Sequence, residues 1–303
     1  MSEIPQTATT DPTYVQDTEG PVLAGRKYHN VATSSYWLPK DEEEQMRLTG
    51  AHFATKELFG GNYLSKAKDH VPFEEGAQVL DIGCGSGTWI MDMATAYPNS
   101  TFTGIDIANV FPEKGGELPN VTFQIANVLE GLPFEDESFH FVHLRVLVAA
   151  VRKEEWPFVI KEAARLVKPG GCVHFNEFEP RESGSEECRR VLRAVETVME
   201  QRGQEPFIGT KLASMVGDAG LEVIQKDGRA VDLANEDSVS KTWRWIWAKS
   251  CSSMMPMLGP LLKVDEKAHN SFVMSHIEDM VHSHGRVHIK VTLTRKPTEA
   301  EKQ

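Results

Sequence analysis

Cysteine is scarce. The chain has four in 303 residues, Cys84, Cys172, Cys188 and Cys251, widely spaced and without a C-x-x-C pair. That excludes a disulfide framework and a thiolate zinc site, and it predicts reduced intracellular thiols. Positive charge is also in short supply: 32 Lys and Arg stand against 44 Asp and Glu, for a net charge of -12. With no local basic run to offset it, this charge repels polyanions, so neither nucleic acid nor an anionic membrane surface is expected as a partner. A small neutral or cationic molecule is easier to accommodate. No apolar run reaches membrane-spanning length, and the start MSEIPQTATT lacks the basic and apolar regions of a signal peptide. The expected location is the cytoplasm or the nucleus. There is no internal repeat and no low-complexity block.

What remains is an ordinary globular composition, 40% hydrophobic and 25% charged, enough for a sizeable core. The length suits one α/β core with an appended helical segment. Residues 1–20, rich in Thr, Pro and acids, predict a solvated tail. Asp41 with Glu44 three residues on predicts a helix start, and Met46, Leu48, Phe53, Leu58 and Phe59 support a helix ending at Gly60-Gly61. The acids Glu42, Glu43 and Glu44 suit the positive end of that helix.

From Gln78 to Pro180 short apolar runs (QVLDIG, TFTGIDI, VTFQIAN, FHFVHL, CVHFNEF) alternate with amphipathic stretches, the pattern of βαβ units and a parallel sheet. One helix is expected from Trp156-Pro157 to Lys168, stopped by Pro169-Gly170-Gly171. Helices are also expected near 186–201, 209–219 and 268–282. Leu221 to Val231 reads as a sixth strand and VHIKVTLTRK as a closing one.

The run Leu80-Asp81-Ile82-Gly83-Cys84-Gly85-Ser86-Gly87 places three glycines between a strand and a helix, where backbone can approach a ligand closely. About twenty residues on, a second strand ends in Asp106, a carboxylate able to accept both hydroxyls of a ribose. A dinucleotide-binding oxidoreductase shares these two features, and the spacing decides between them. The dinucleotide pattern is G-x-G-x-x-G facing a pyrophosphate, whereas here G-x-G-x-G follows an acid, which suits a cationic amino-acid end.

This run resembles motif I of the class I S-adenosylmethionine-dependent methyltransferases. By that resemblance Asp81, Gly83, Gly85 and Gly87 form the cofactor loop, Asp106 binds the ribose, and Ile107 lies beside the adenine. Asn127 falls where the family usually has an Asp facing the adenine amino group, with Val128 next to it; Asn keeps a hydrogen-bonding side chain. Leu166-Val-Lys-Pro-Gly-Gly171 is similar to the family turn into strand five. Upstream, Tyr36-Trp-Leu-Pro-Lys-Asp41 to Leu48, with His52, is similar to the segment preceding the core in fungal LaeA-like methyltransferases, a group linked to secondary metabolism and its regulation, in which Arg145 has a counterpart. Tyr36 and Arg145 thereby join the candidate cofactor residues.

The resemblance implies a Rossmann-like α/β fold, a mostly parallel seven-stranded sheet with helices on both faces. It divides into an N-terminal helical segment (21–76), a cofactor-binding core (77–182) and a C-terminal part (183–303) with a helical lid at about 233–284 before the last strand. The implied reaction is methyl transfer from S-adenosyl-L-methionine to the oxygen or nitrogen of a small-molecule acceptor; the alternative is a LaeA-like regulator acting through a protein partner. If the acceptor must lose a proton, His143, Glu177 and Glu179 lie near strand ends where a base would stand. Trp243, Trp245, Trp247, Met254, Met255 and Met257 could line a substrate lid or pack as core. His282, His284 and His288 lack acidic or thiolate companions at metal-ligand spacing, so no metal is expected.

Overall fold

The computed structural model describes residues 21–23, 25–28, 34–112 and 118–301; the expected tail over residues 1–20 lies outside them. At its centre is β1 (Gln78–Ile82), whose residues from Val79 on are buried. Such a buried strand, apolar except at Asp81, suits a sheet covered on both faces. Strands β2 (Thr101–Asp106), β3 (Val121–Ile125), β4 (Phe139–Arg145) and β5 (Val167–Glu179) continue the sheet, and β6 (Glu222–Asp232) and β7 (Arg286–Arg295) complete it. Their order is β3-β2-β1-β4-β5-β7-β6. The first five pair in parallel, Leu80 standing beside both Thr103 and Val142, while β7 runs antiparallel between β5 and β6.

The chain winds outward from β1 to β3 and then returns across β1 to begin β4. That reversal leaves a crevice at the carboxyl ends of β1 and β4, the place where doubly wound sheets bind ligands. Helices α2 (Thr88–Ala96), α3 (Trp156–Leu166) and α5 (Ile208–Met215) pack on the sheet. Phe102, Phe141, Phe175, Leu80, Ile82, Trp89 and Trp156 form the fully buried centre of the core.

Helix α3 ends at Leu166 and β5 starts at Val167, so the strand runs through Pro169-Gly170-Gly171 rather than after it. The Pro-Gly-Gly turn fits because Val167 pairs with Phe139 and Cys172 with Phe141, leaving the residues between as a bulge. The Trp- and Met-rich segment forms one helix, α6 (Ser238–Leu262), despite Pro256 and Pro260. It packs on α1 (Glu42–Phe59), α4 (Glu186–Gln201) and α7 (His269–His282). Among the described residues no helix is long and apolar enough to cross a membrane.

Helix α1 starts and stops as its sequence predicts: the Asp41 carboxylate accepts from the Glu44 N–H at 3.1 Å, and Gly60 closes the last turn with φ 73°. Its five supporting apolar residues divide: Leu48, Leu58 and Phe59 turn inward, Met46 and Phe53 outward. Met46 and Phe53 are more than half exposed, whereas Glu44, Arg47 and His52 are buried. A helix normally turns its apolar stripe inward; here Leu48, Ala51 and Ala54 share the inward side with Glu44, Arg47 and His52, and Leu48 and Arg47 line the crevice.

Asp41 also receives both Nε and Nη2 of Arg26, at 2.5 and 2.7 Å, tying the N-terminal hairpin (Val22–Lys27) to α1. Asp41→Ala should lower the unfolding free energy by about 1–2 kcal/mol in urea titrations, and Asp41→Asn, which keeps a capping oxygen, by less than half as much. Equal losses in the two variants would contradict capping as the source.

Candidate functional site

The loop from Gly83 to Gly87 is held from below: the N–H groups of Gly83 and Cys84 both donate to the Ile105 carbonyl, at 2.8 and 2.9 Å. Gly87 (φ 75°) caps α2, and a Cβ there would stand 2.4 Å from the Phe123 ring. Gly85 differs. At φ 55° it also excludes ordinary side chains, yet a Cβ would meet nothing within 4 Å, so the space in front of it is open. Its N–H donates to Asp106 Oδ2 at 2.9 Å, and the Ala108 N–H donates to Oδ1 at 3.0 Å. Burial pushes the Asp106 pKa up, and these N–H groups oppose that rise.

That open space is part of a cleft of about 190 Å³. Tyr36, Gly83, Gly85, Asp106, Ile107, Asn127, Val128 and Arg145 all line it, which brings eight of the ten expected cofactor residues together. The other two stand behind the wall. Asp81 lies beneath the loop, 3% exposed, its carboxyl pushed up to about 7 by burial against the opposing influence of Arg145. Gly87 packs on Phe123, outside the cleft.

Asn127 is oriented by its own turn. Its Oδ1 accepts from the Leu129 N–H at 3.1 Å and its Nδ2 donates to Glu130 Oε1 at 2.9 Å. Sequence reasoning missed Lys40, Gln45 and Arg47, which reach the cleft from the N-terminal side. Arg47 forms a two-pronged ion pair with Glu44, whose Oε1 also lies 3.5 Å from the Tyr36 hydroxyl. The signal available was spacing: 44, 47, 48, 51, 52 and 55 lie on one stripe of α1.

On the other side of the loop lies a second cavity, about 80 Å³, walled by Leu48, Ala51, Phe178, Trp243 and Ile289. Leu48, Gly83, Gly85, Arg145 and Val146 line both spaces, so the two meet at the loop. Val146 is β-branched yet sits at φ 55°, a strained conformation of the kind that concentrates at functional sites. Two contacts hold it: its N–H donates to the Asn176 carbonyl at 2.9 Å, and Glu177 accepts from the N–H groups of Leu147 and Val148 at 3.1 and 3.0 Å.

Arg145 stands where the spaces join. Its Nη1 donates to His52 Nδ1 at 2.9 Å, and because a guanidinium has only donors, His52 must carry its proton on Nε2, 3.0 Å from Asp92 Oδ2. Burial and Arg145 push the His52 pKa down to about 4, so the ring stays neutral. Lys56 and Asn62 hold the same Asp92 carboxylate.

The three expected proton acceptors are engaged by their surroundings. His143 is buried inside the sheet, stacked on Trp89 with centroids 3.9 Å apart, its Nδ1 3.0 Å from His174 Nδ1. It faces a separate, water-sized space and lines neither the cleft nor the second cavity. Glu177 is fully buried and engaged with the turn after β4, and burial pushes its pKa up to about 8. Glu179 is likewise committed, to the Thr210 N–H and Arg181. In the Trp-rich segment only Trp243 reaches the second cavity. Trp247 donates to His276 Nε2 at 3.1 Å, and Met254 and Met255 are core. His282 bonds the Glu278 carbonyl and His284 the Asp232 carboxylate.

The sequence profile of a methyltransferase domain matches residues 79–171. Methyltransferase str2 of Strobilurus tenacellus is 32% identical over 203 residues, covering 65% of this chain and 70% of that protein. The chain belongs to the S-adenosylmethionine-dependent methyltransferases. Secondary metabolism regulator laeA of Coprinopsis cinerea is 31% identical over 157 residues, 51% of this chain, and protein-methionine methyltransferase laeA of Emericella nidulans is 30% identical over 160 residues. The chain spans only 38% and 41% of those two proteins. Among solved structures, a phosphoethanolamine N-methyltransferase 2 of Haemonchus contortus, in complex with phosphomonomethylethanolamine and S-adenosylhomocysteine, shares the fold with TM-score 0.51 at 16% identity, over 90% of this chain and 62% of that one.

In this methyltransferase the buried acid of the glycine run gives a pH signature. The folded Asp81 carboxyl titrates near 7, whereas in the unfolded chain it ionises near the ordinary 3.8, so the folded state holds the extra proton between them. The stability Asp81 contributes is therefore present below about pH 4 and is lost as pH rises toward 7. Asp81→Asn should gain stability relative to the parent chain over that window and level off above it, in urea unfolding without ligand. A difference independent of pH would contradict this.

Proposed function

We propose that the chain transfers a methyl group from S-adenosylmethionine to a small-molecule acceptor, with the cofactor in the cleft and the acceptor in the cavity beyond the glycine loop. The observation that carries the reading is the arrangement of Asp106, Gly85 and Arg145 along one continuous cleft. Asp106 keeps acceptor capacity for ribose hydroxyls beyond the two N–H groups it already takes. Gly85 leaves the space through which a ligand would pass, and Ile107, Val128 and Leu129 offer apolar surface to a flat ring. Lys40 and Arg47 bring positive charge to the N-terminal side, where an α-carboxylate would lie.

When bound, the cofactor supplies a methyl group already activated on a sulfonium. The chain's own residues then need only align the acceptor and exclude water. Apolar Leu48, Phe178, Trp243 and Ile289 serve to exclude it. The similarity to str2, whose name says methyltransferase and nothing of a regulator, supports the enzymatic reading.

A second reading, a regulator working through a protein partner, is favoured by the similarity to the laeA proteins and by one surface feature. Met46 and Phe53 on α1 flank Gly50, on which the 40%-exposed Trp245 rests, forming an apolar outer face.

Isothermal calorimetry tests the cofactor assignment. S-adenosylhomocysteine should bind and NAD should not, and Asp106→Ala should weaken the former at least tenfold, about 1.4 kcal/mol. Binding of NAD without S-adenosylhomocysteine, or an unchanged affinity in Asp106→Ala, would contradict it.

A further inference from the structure

Among the described residues, the half-buried Arg145 guanidinium has no carboxylate within 4 Å, and its one protein hydrogen bond goes to the neutral His52. Asp81, the one carboxylate acting on it at longer range, is itself pushed toward its neutral form by burial. Removing a cation from water without an opposite charge is costly unless a ligand supplies that charge. The remaining N–H donors of the fork have no protein acceptor among the described residues, and the side chain borders both the cleft and the second cavity.

Among the described residues, the second cavity is lined by no other charged group. Its polar lining is Thr55, Cys84, Ser86, Thr88 and Asn176, and the rest is apolar. It therefore holds neither a carboxylate nor an imidazole that could take a proton from an acceptor, since His143 and Glu177 face elsewhere. A basic amine would meet the positive Arg145 with no anion to receive it. A neutral alcohol would keep its proton.

Resting on the proposed methyltransferase reading, we infer that the acceptor is a small apolar carboxylic acid, bound as its anion with the carboxylate on the Arg145 fork and its body against Leu48, Phe178, Trp243 and Ile289. A planar fork matches a carboxylate, and the cavity of about 80 Å³ opens into the cleft at Gly83, Gly85 and Arg145, so a small apolar body extends along the walls the two spaces share. The acceptor brings its own ionised oxygen, so no base is required. Methylation forms a C–O bond at a carboxylate oxygen and breaks the S–CH3 bond, with that electron pair passing to sulfur; a sulfonium and an anion become a thioether and a methyl ester, and no proton moves. Arg145 acts as a positioning residue, and the His52–Asp92 pair fixes the fork's direction. The cofactor's own carboxylate is a competing anion, with Lys40 and Arg47 as alternative cations on its side of the cleft.

The test is calorimetry on the full chain saturated with S-adenosylhomocysteine, using benzoate and trans-cinnamate against the isosteric neutral benzamide and cinnamamide. At least one acid should bind tenfold or more tightly than its amide. Arg145→Gln should abolish that preference in the chain saturated with S-adenosylhomocysteine, and Arg145→Lys, which keeps the charge, should retain a preference and thereby show that the site survives substitution. Equal binding of acid and amide, or binding of neither, would overturn the inference, as would a preference that persists in Arg145→Gln. A tenfold loss of S-adenosylhomocysteine affinity in Arg145→Gln would assign the fork to the cofactor and overturn it too. Failure of the parent chain to bind S-adenosylhomocysteine would instead remove the methyltransferase reading on which the inference rests.

Discussion

A guanidinium held in place by a neutral imidazole, without a carboxylate to balance it, is the constraint around which the crevice is organised. Arg145 at the end of β4 is oriented by His52 on α1, which is oriented by Asp92 on α2, and Asp92 is kept ionised by Lys56 and Asn62. Three elements distant in sequence must dock correctly for that chain of contacts to exist. This explains why α1 turns Glu44, Arg47 and His52 inward and leaves Met46 and Phe53 in solvent. A helix that packed Met46 and Phe53 inward would remove His52 and Arg47 from the site.

The carboxylates of the crevice are committed to other partners, and Asp81, the one that acts on Arg145, is pushed toward its neutral form by burial. Glu177 takes the two N–H groups of the strained turn after Val146, and Glu44 is taken by Arg47. Asp106 is shared between the glycine loop and the cleft. The chain's acidic excess thus lies mostly elsewhere, while the one space opening beyond the glycine loop is locally positive. Net charge spoke for a neutral or cationic small molecule, whereas the proposed acceptor is an anion, since interactions at a few ångströms in a half-buried setting outweigh a distant, screened surface.

The parallel sheet, the glycine loop, Asp106 and the capped α1 were legible in the sequence because each depends on local rules: apolar strands, positive-φ turns and a capping carboxylate. The roles of His143 and Glu177 were not legible in the same way. Position at a strand end gives no information about which face a side chain takes or what already occupies its hydrogen-bonding atoms, and here Trp89, His174 and the Leu147–Val148 backbone had claimed them. Trp243 and Trp247 show the same limit: both are inward residues of α6, yet one walls a cavity and the other packs on His276.

The most direct test of the account is a crystal structure of the chain with S-adenosylhomocysteine bound. It predicts the ribose hydroxyls on Asp106 and the sulfur at the rim shared by Gly83, Gly85 and Arg145, facing the cavity walled by Trp243, with the Arg145 fork still turned toward that cavity. A sulfur facing away from the cavity, or an adenosyl group lying outside the cleft, would contradict it.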